Sequence, residues 1–423
     1  VSYPSNMPPL QKEQCITVDV ERLVYGGEAL AHYEGYEVLV LRGVPGDRVS
    51  ARIIGIHDNV LRTEIEEIVT PSPSRVQPEC LGYHDGCGGC QWLQVDYGEQ
   101  LRWKKRVVQE IMGGYDELKD IPVRDVAGMD RPFFYRNKMV VRVRGPQDNL
   151  RVGFHTPRTK WVINVFNKPD GQCHIQNELN NRIGRGLAES LTRERRPLKS
   201  ATVRTSDGDE VSLDLDRKLT VAISADLQNI GTQAPFVHYA VDGRRFRVTS
   251  PSFFQANTAQ TGTLVQAVMD MLPQQRISTA VDVYCGVGLF TLFLADRAEQ
   301  VYGIEESHTA IADAEHNAEA HGTSNIRFIR GKAEDELPTV AETEGRIDLL
   351  VVDPPRAGCD PDVLRTINSC EPERIIYISC NVKTLARDLA LLRELGYQTT
   401  GIRPVDMFPH TYHIECVALC EKL

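Results

Sequence analysis

AVDVYCGVGLF, residues 280–290, decides the fold. Its first half is an apolar, largely β-branched run that reads as a buried strand. The chain then turns through Cys285-Gly286-Val287-Gly288 into a helix-like stretch, the order of a strand–turn–helix unit in a parallel sheet. Working outward, QVYGIEES, NIRFIRG, IDLLVVDPP and RIIYISCN repeat the strand signal, with helical stretches between them. YQTTGIRP and HIECVALCEKL finish the chain as an antiparallel pair. From about residue 251 the expectation is an α/β fold with a doubly wound sheet.

At 423 residues the chain exceeds one ordinary core, so two or three domains are expected. Its 41% hydrophobic and 25% charged content is that of a globular protein. No apolar run reaches the length of about 18 residues that spans a membrane, and VSYPSNMPPLQKEQ lacks the basic and apolar regions of a leader. A cytoplasmic protein without a membrane partner is the expectation. A net charge of −10 argues against nonspecific coating of nucleic acid. The charge is uneven, however: LRWKKRVV (101–108) has four basic residues and no acid, and residues 131–160 hold eight basic residues against Asp148 alone. Such patches are either solvated element faces or the footprint of a structured polyanion.

Upstream, ITVDVERL, YEVLVLRG, DRVSARII and RTEIEEIV alternate like strands between Gly-rich turns, which suggests a small barrel of the oligonucleotide-binding kind over residues 15–70. PSPSRVQP (71–78) reads as a linker, followed by a cysteine-rich segment and an amphipathic helix near 97–112. A second β-rich region, about 131–248, is interrupted by a helix within 173–191.

The loop after the 280–283 strand is Gly-x-Gly with Thr291 where a dinucleotide fingerprint needs a third glycine, which disfavours a nicotinamide cofactor. Alone, such a loop is as often only a tight turn. Glu305, ending the next strand, could accept ribose hydroxyls, and Asp353-Pro354-Pro355-Arg356 ends a third strand at the same edge. The three stops together resemble the S-adenosyl-L-methionine pocket of class I methyltransferases. Arg356 stands where the amino-group methylases of that class have an aromatic, pointing to another target atom.

RIIYISCNVKTLARDL (374–389) ends a strand on Cys380. The bland reading is a packed small hydrophobe. The chemical reading is a nucleophile: uracil C5 attacks a methyl sulfonium only after a thiolate has added to C6, and a base must then remove the C5 proton. An unperturbed thiol is about 3% thiolate at neutral pH, so surroundings that lower its pKa are expected, helped by the helix beginning at Val382. Glu415, opening the last strand, is either an ordinary exposed acid or that base, and His410 and His413 are further candidates.

Ser379-Cys380-Asn381 with TLARDL, DPPRAG, Phe253-Phe254-Gln255-Ala256-Asn257, DVYCGVGLF and DMFPHTYHIE resemble the RNA uridine-5-methyltransferase family over nearly the whole chain. The resemblance implies a class I S-adenosylmethionine-dependent methyltransferase fold, Rossmann-like and doubly wound. It adds an N-terminal small β-barrel of the TRAM or OB type and a central β-rich α+β domain. The implied division is 15–72 for the barrel, 75–92 with 125–250 for the central domain, and 93–124 with 251–423 for catalysis. It also implies Cys380 as nucleophile, Glu415 as base, Gln255, Tyr284, Gly286, Glu305 and Asp353 as donor or active-site contacts, and Phe253 as a substrate contact. The implied partner is RNA, with 23S rRNA favoured and tRNA the alternative, bound by a monomer that flips out its uridine. Two positions depart from the family pattern: Leu289 stands where Asn is frequent, and Lys332 where Asp or Asn is usual.

Cys80, Cys87 and Cys90, from eleven cysteines in all, include the close CxxC pair of a metal site, with Cys173 as a distant fourth. Spacing alone favours metal over inert thiols and leaves the metal open. The resemblance implies a [4Fe–4S] cluster, although six residues separate Cys80 from Cys87 where five are common. Because a fourth thiol would close the last iron, a radical S-adenosylmethionine enzyme is the weaker reading. A noncatalytic RNA-binding iron–sulfur protein remains the alternative from another class.

Overall fold

The computed structural model describes residues 10–193, 198–206, 208–216 and 235–423. The leader reading of residues 1–9 and part of the 125–250 segment fall outside that set. By internal contacts the chain forms two units. One holds the residues up to 79, 90–107 and 410–412, and the other holds 80–89, 108–409 and 413–423.

In the first unit, strands Cys15–Asp19, Arg48–His57, Val60–Thr70, Tyr36–Leu41, Ala29–Tyr33 and Arg22–Leu23 lie side by side in that order. The two edge strands, Cys15–Asp19 and Arg22–Leu23, are consecutive in the chain, joined by Val20 and Glu21. Ile16, Val18, Val38, Val40, Val49, Ala51, Ile53 and Leu61 fill its interior, as the alternation in sequence requires. The expected linker is corrected here: it is anchored. Fully buried Asp47 accepts from Ser72 N at 2.8 Å and Val44 N at 2.7 Å, and pairs with Arg75 at 2.6 Å. A carboxylate inside a barrel is stable only with its lone pairs filled, and the Ser-x-x-Arg of the supposed linker fills them.

The second unit contains a seven-stranded sheet. We number its strands β1 (Ile277–Val283), β2 (Ala298–Glu305), β3 (Ile326–Arg330), β4 (Leu349–Val352), β5 (Arg374–Ser379), β6 (Tyr397–Val405) and β7 (Glu415–Lys422). The spatial order is β3-β2-β1-β4-β5-β7-β6, parallel except for β7. Helices α1 (Thr258–Met269), α2 (Leu289–Leu294), α3 (His308–Ala320), α4 (Ala333–Glu344), α5 (Pro361–Ser369) and α6 (Val382–Glu394) accompany it. Near-continuous apolar runs such as Leu349–Val352 follow from burial on both faces. The order reverses at β1, so a crevice opens at the carboxyl ends of β1 and β4, where open α/β sheets bind ligands.

The hairpin Phe236–Val241/Arg244–Thr249 lies within the segment assigned from sequence to the central domain, yet Val237, Tyr239, Phe246 and Val248 belong to the core of this sheet. A separate four-stranded sheet (Lys138–Arg144, Arg151–Gly153, Ser200–Thr205, Val211–Leu215) packs one face on helix Glu178–Thr192 around Val141, Val203, Ile183 and Leu187. Among the described residues no helix is long and apolar enough to cross a membrane.

Candidate active site

The crevice begins where β1 stops. Tyr284, Gly286 and Gly288 all have positive φ (65°, 55° and 83°), which folds the loop tightly back before α2. A Cβ at Gly288 would sit 3.0 Å from Leu292 and 3.3 Å from Phe328, whereas one at Gly286 would meet nothing within 4 Å. Glycine is thus favoured at Gly286 by backbone conformation, and the space above it is open. Glu305, at the end of β2, is oriented by two backbone donors: Gly286 N–H to one carboxylate oxygen at 3.2 Å and Ser307 N–H to the other at 2.8 Å. Its remaining lone pairs are available to a diol. Beside it a cavity of about 240 Å³ is lined by Tyr284, Glu305, Lys332, Ala333, Asp360 and Val363 among others. Lys332 therefore borders this cavity, whereas Leu289 is packed into the hydrophobic core.

On the other side of the switch point, β5 ends at Ser379 and Cys380 follows, half-buried. The last pair in the antiparallel register of β5 and β7 is Ser379 with Cys416, so Cys380 and Glu415 are the next positions on the two strands. Glu415 is only 3% exposed, which removes the ordinary-acid reading. Burial, then the charge of Asp353, push its carboxyl well above the usual range, with Arg356 opposing. Asp353 is itself raised to about 7 by burial and by buried Asp282 of β1.

The thiol corrects an expectation. Burial, then the charges of Glu415 and Asp353, push Cys380 up to about 12, and Arg356 alone among the named charges pulls it down. A helix start nearby does not outweigh two carboxylates and desolvation. These surroundings favour the protonated thiol.

The position of Arg356 is set by contacts that pattern reading missed. Asn381 caps α6 by accepting from Lys383 N and donates its amide to Arg356 O at 3.0 Å, so one side chain ties the SCN turn to the DPPR loop. Arg387 donates to Ala357 O and Cys359 O, while buried Asp388 accepts from Cys359 N at 2.9 Å and from Tyr377 Oη at 2.5 Å. The Arg-Asp pair within TLARDL was the available signal, and its role is to clamp the loop. Arg356 Nη2 lies 2.9 Å from His413 Nδ1, linking the loop to the approach of β7. His410 is held differently, its backbone N–H donating to Gln100 at 2.9 Å and its ring nitrogen 3.1 Å from the same side chain.

Gln255 is buried and Phe253 is 68% exposed, while Phe254 between them stacks on Tyr239 with centroids 4.7 Å apart. Asn137 fixes this loop by donating to Gln255 O at 3.0 Å and Thr258 Oγ1 at 2.8 Å. Of the expected metal ligands, Cys80, Cys87 and Cys173 lie within electrostatic reach of one another. Cys173 is half-buried, its thiol pushed to about 12 by desolvation, with Cys87 and Cys80 adding to the rise. Among the described residues, no group of three or more His, Cys, Asp or Glu is arranged to hold a metal ion. Cys90 belongs to the other unit.

Residues 224–423 match the family model described as tRNA (uracil-5-)-methyltransferase. Proteins named uncharacterized RNA methyltransferase from Halalkalibacterium halodurans and Bacillus cereus are each 32% identical to this chain, over 98% of both partners. The crystal structure of Pyrococcus abyssi tRNA (uracil-54, C5)-methyltransferase in complex with S-adenosyl-L-homocysteine shares the fold. It has a TM-score of 0.70 and 23% identity, covering 96% of this chain and 100% of that one. With a switch-point crevice, a strand-end thiol and relatives matched end to end, the chain belongs to the RNA uracil-5-methyltransferase family, S-adenosylmethionine-dependent enzymes of the class I methyltransferase fold.

Proposed function

We propose that the enzyme methylates C5 of one uridine in 23S rRNA through a transient bond between Cys380 and C6. The observation that carries this reading is the β5–β7 register, which sets the thiol and the Glu415 carboxyl at adjoining positions beside Asp353 and Arg356. Tyr284, Gly286, Glu305, Asp353 and Gln255 would hold the donor, with the cavity beside Glu305 taking its adenosyl half. When bound, S-adenosylmethionine supplies an electrophilic methyl group.

The chain's own part follows from its charges. Cys380 gives its proton to water as its sulfur bonds to C6, moving the ring's electron pair to C5; that pair would take the methyl, the donor's sulfonium keeping the electrons of the broken bond as a neutral thioether. Glu415, once ionised, removes the C5 proton, a role its raised affinity for protons suits. The C5–H electron pair re-forms the double bond as the S–C6 bond breaks, and the thiolate returns. Arg356 favours each negative charge that appears. Phe253, exposed on the rigid Asn137-anchored loop, would contact the flipped uridine.

The test is RNA carrying 5-fluorouridine, incubated with the enzyme and the methyl donor. Fluorine does not leave as a proton, so a methylated enzyme–RNA adduct mapping to Cys380 is expected. Turnover without an adduct rejects the mechanism.

The ribosomal substrate is supported by the six-stranded N-terminal sheet and the cysteine segment, both of which resemble the ribosomal branch. A tRNA substrate is the second reading, favoured by the names of the matched family model and of the Pyrococcus abyssi enzyme. Mapping 5-methyluridine in both RNA pools of a deletion strain separates them.

We further propose that the cysteine-rich segment expected from sequence binds a [4Fe–4S] cluster, with Cys80, Cys87 and Cys173 among its ligands. Support comes from the CxxC spacing of Cys87 and Cys90 and from Gly88, whose N–H donates to His155 O at 3.0 Å and so ties the loop to the 155–162 hairpin. Iron, sulfide and visible absorbance after anaerobic purification test it. A colourless, iron-free protein of full activity overturns it.

A further inference from the structure

The four-stranded sheet of the second unit has a face that catalysis does not use. Along Lys138–Arg144, residues Met139, Val141 and Val143 point into the helix-packed core, so Lys138, Val140, Arg142 and Arg144 share the opposite face. Its cross-strand pairs are unusual. Lys138 is directly opposite Arg204 on one side, and Arg144 directly opposite Arg151 on the other. Like charges in register are destabilising, and here two such pairs stand on one face. Among the described residues none of Lys138, Arg142, Arg144 and Arg151 forms an ion pair. The one carboxylate in register on this face is Asp214, opposite Thr202 on the edge strand.

One end of the face leads to the active site. Arg204, buried, donates to Ser252 O at 2.6 Å, the residue before exposed Phe253. The other end carries Trp161, 58% exposed, with the Arg151 guanidinium 3.8 Å above its ring. Val140 between them is 38% exposed. Lowered proton affinity at Lys138, caused by burial and then by Arg204 and Arg136, reports the same crowding of cations.

We infer that this face is a track for single-stranded RNA flanking the target uridine, with Arg142, Arg144 and Arg151 holding phosphates and an unpaired base stacking on Trp161. The inference rests on the enzyme's acting on RNA. A duplex would present phosphates only, whereas a cation-capped exposed indole between phosphate-binding arginines fits an unstacked base.

Trp92 and Trp103 are buried, so Trp161 is the tryptophan that solvent and ligand reach. The full-length enzyme is titrated with a uridine-containing single-stranded oligoribonucleotide and with an RNA duplex of matching sequence. The single strand is expected to quench wild-type tryptophan emission, with the quench absent in W161F, and W161A is expected to bind about tenfold or more weakly. R142Q/R144Q should lower the slope of log affinity against log salt by about 1.4. Wild-type affinity and salt slope in R142Q/R144Q, a persistent quench in W161F, or equal quenching by duplex each overturn the track. Methyl transfer to the same oligonucleotide by wild type is measured alongside. Its loss would mean that the RNA reading has failed, and its presence with unaffected variants that the track alone has failed.

Discussion

Cys380 and Glu415 stand one residue beyond Ser379 and Cys416, the last cross-strand pair of β5 and β7. Antiparallel neighbours in register sit close enough for their side chains to interact, and here the carboxyl is the largest charged contribution to the raised thiol. Each group makes the other harder to ionise, so proximity and burial favour the protonated form of both. In the proposed mechanism a uracil would change that balance by giving the sulfur's electrons somewhere to go.

Replacing Glu415 by Gln keeps the shape and removes the base. Addition and methyl transfer should proceed while release of the thiolate slows by about 10²–10⁴-fold. A methylated covalent complex with ordinary uridine RNA should therefore build up, visible as a shifted band on a denaturing gel. E415Q turning over normally with no adduct would assign the base elsewhere.

The pH profile follows from the direction of the thiol shift. With Cys380 raised to about 12, its thiolate fraction climbs throughout the neutral and mildly alkaline range. Single-turnover kcat/KM should increase with pH, approaching about tenfold per unit where ionisation of the thiol limits the rate. Removing the guanidinium in Arg356→Gln takes away the positive charge that pulls toward ionisation, so activity should drop and the alkaline limb move higher. A flat profile in the wild type would contradict this.

Asp353 offers a stability readout. Its carboxyl is raised to about 7, so the folded state resists an ionisation that the unfolded chain completes near pH 4. Stability present below the unfolded pKa is lost as pH rises from there toward about 7. Asp353→Asn should raise the thermal midpoint at neutral pH while lowering activity, and that gain should vanish in acid. Calorimetry at two pH values decides.

The Asp388 clamp should matter to both fold and rate. Asp388→Ala leaves the Cys359 N–H and Tyr377 hydroxyl without their acceptor in a buried place, at about 2–4 kcal/mol. The DPPR loop would loosen, so activity should fall further than stability at permissive temperature. Urea melts beside methyl-transfer rates measure the two separately.

In the first unit, Asp47→Ala should destabilise by about 2–4 kcal/mol, since it strands Arg75 and two backbone donors. A denaturant transition for that unit unchanged from wild type would show the pair to be dispensable.

Much of this was legible in the residues alone. Apolar β-branched runs at regular intervals, punctuated by Gly-x-Gly, Glu305, Asp-Pro-Pro and Ser-Cys-Asn, determined a doubly wound sheet with chemistry at its strand ends. They did so because strand period and glycine conformation are local properties. The nature of the PSPSRVQP stretch was not legible, because proline and serine signal a turn whether or not Asp47 waits to bind it. Nor was the burial of Glu415, which depends on β7 sitting between β5 and β6. The direction of the thiol's shift was decided only in three dimensions: it is a sum over charges from β4, β7 and the DPPR loop, some sixty residues apart at the extremes. Electrostatic energies depend on distance through the fold, and sequence separation says nothing about that distance.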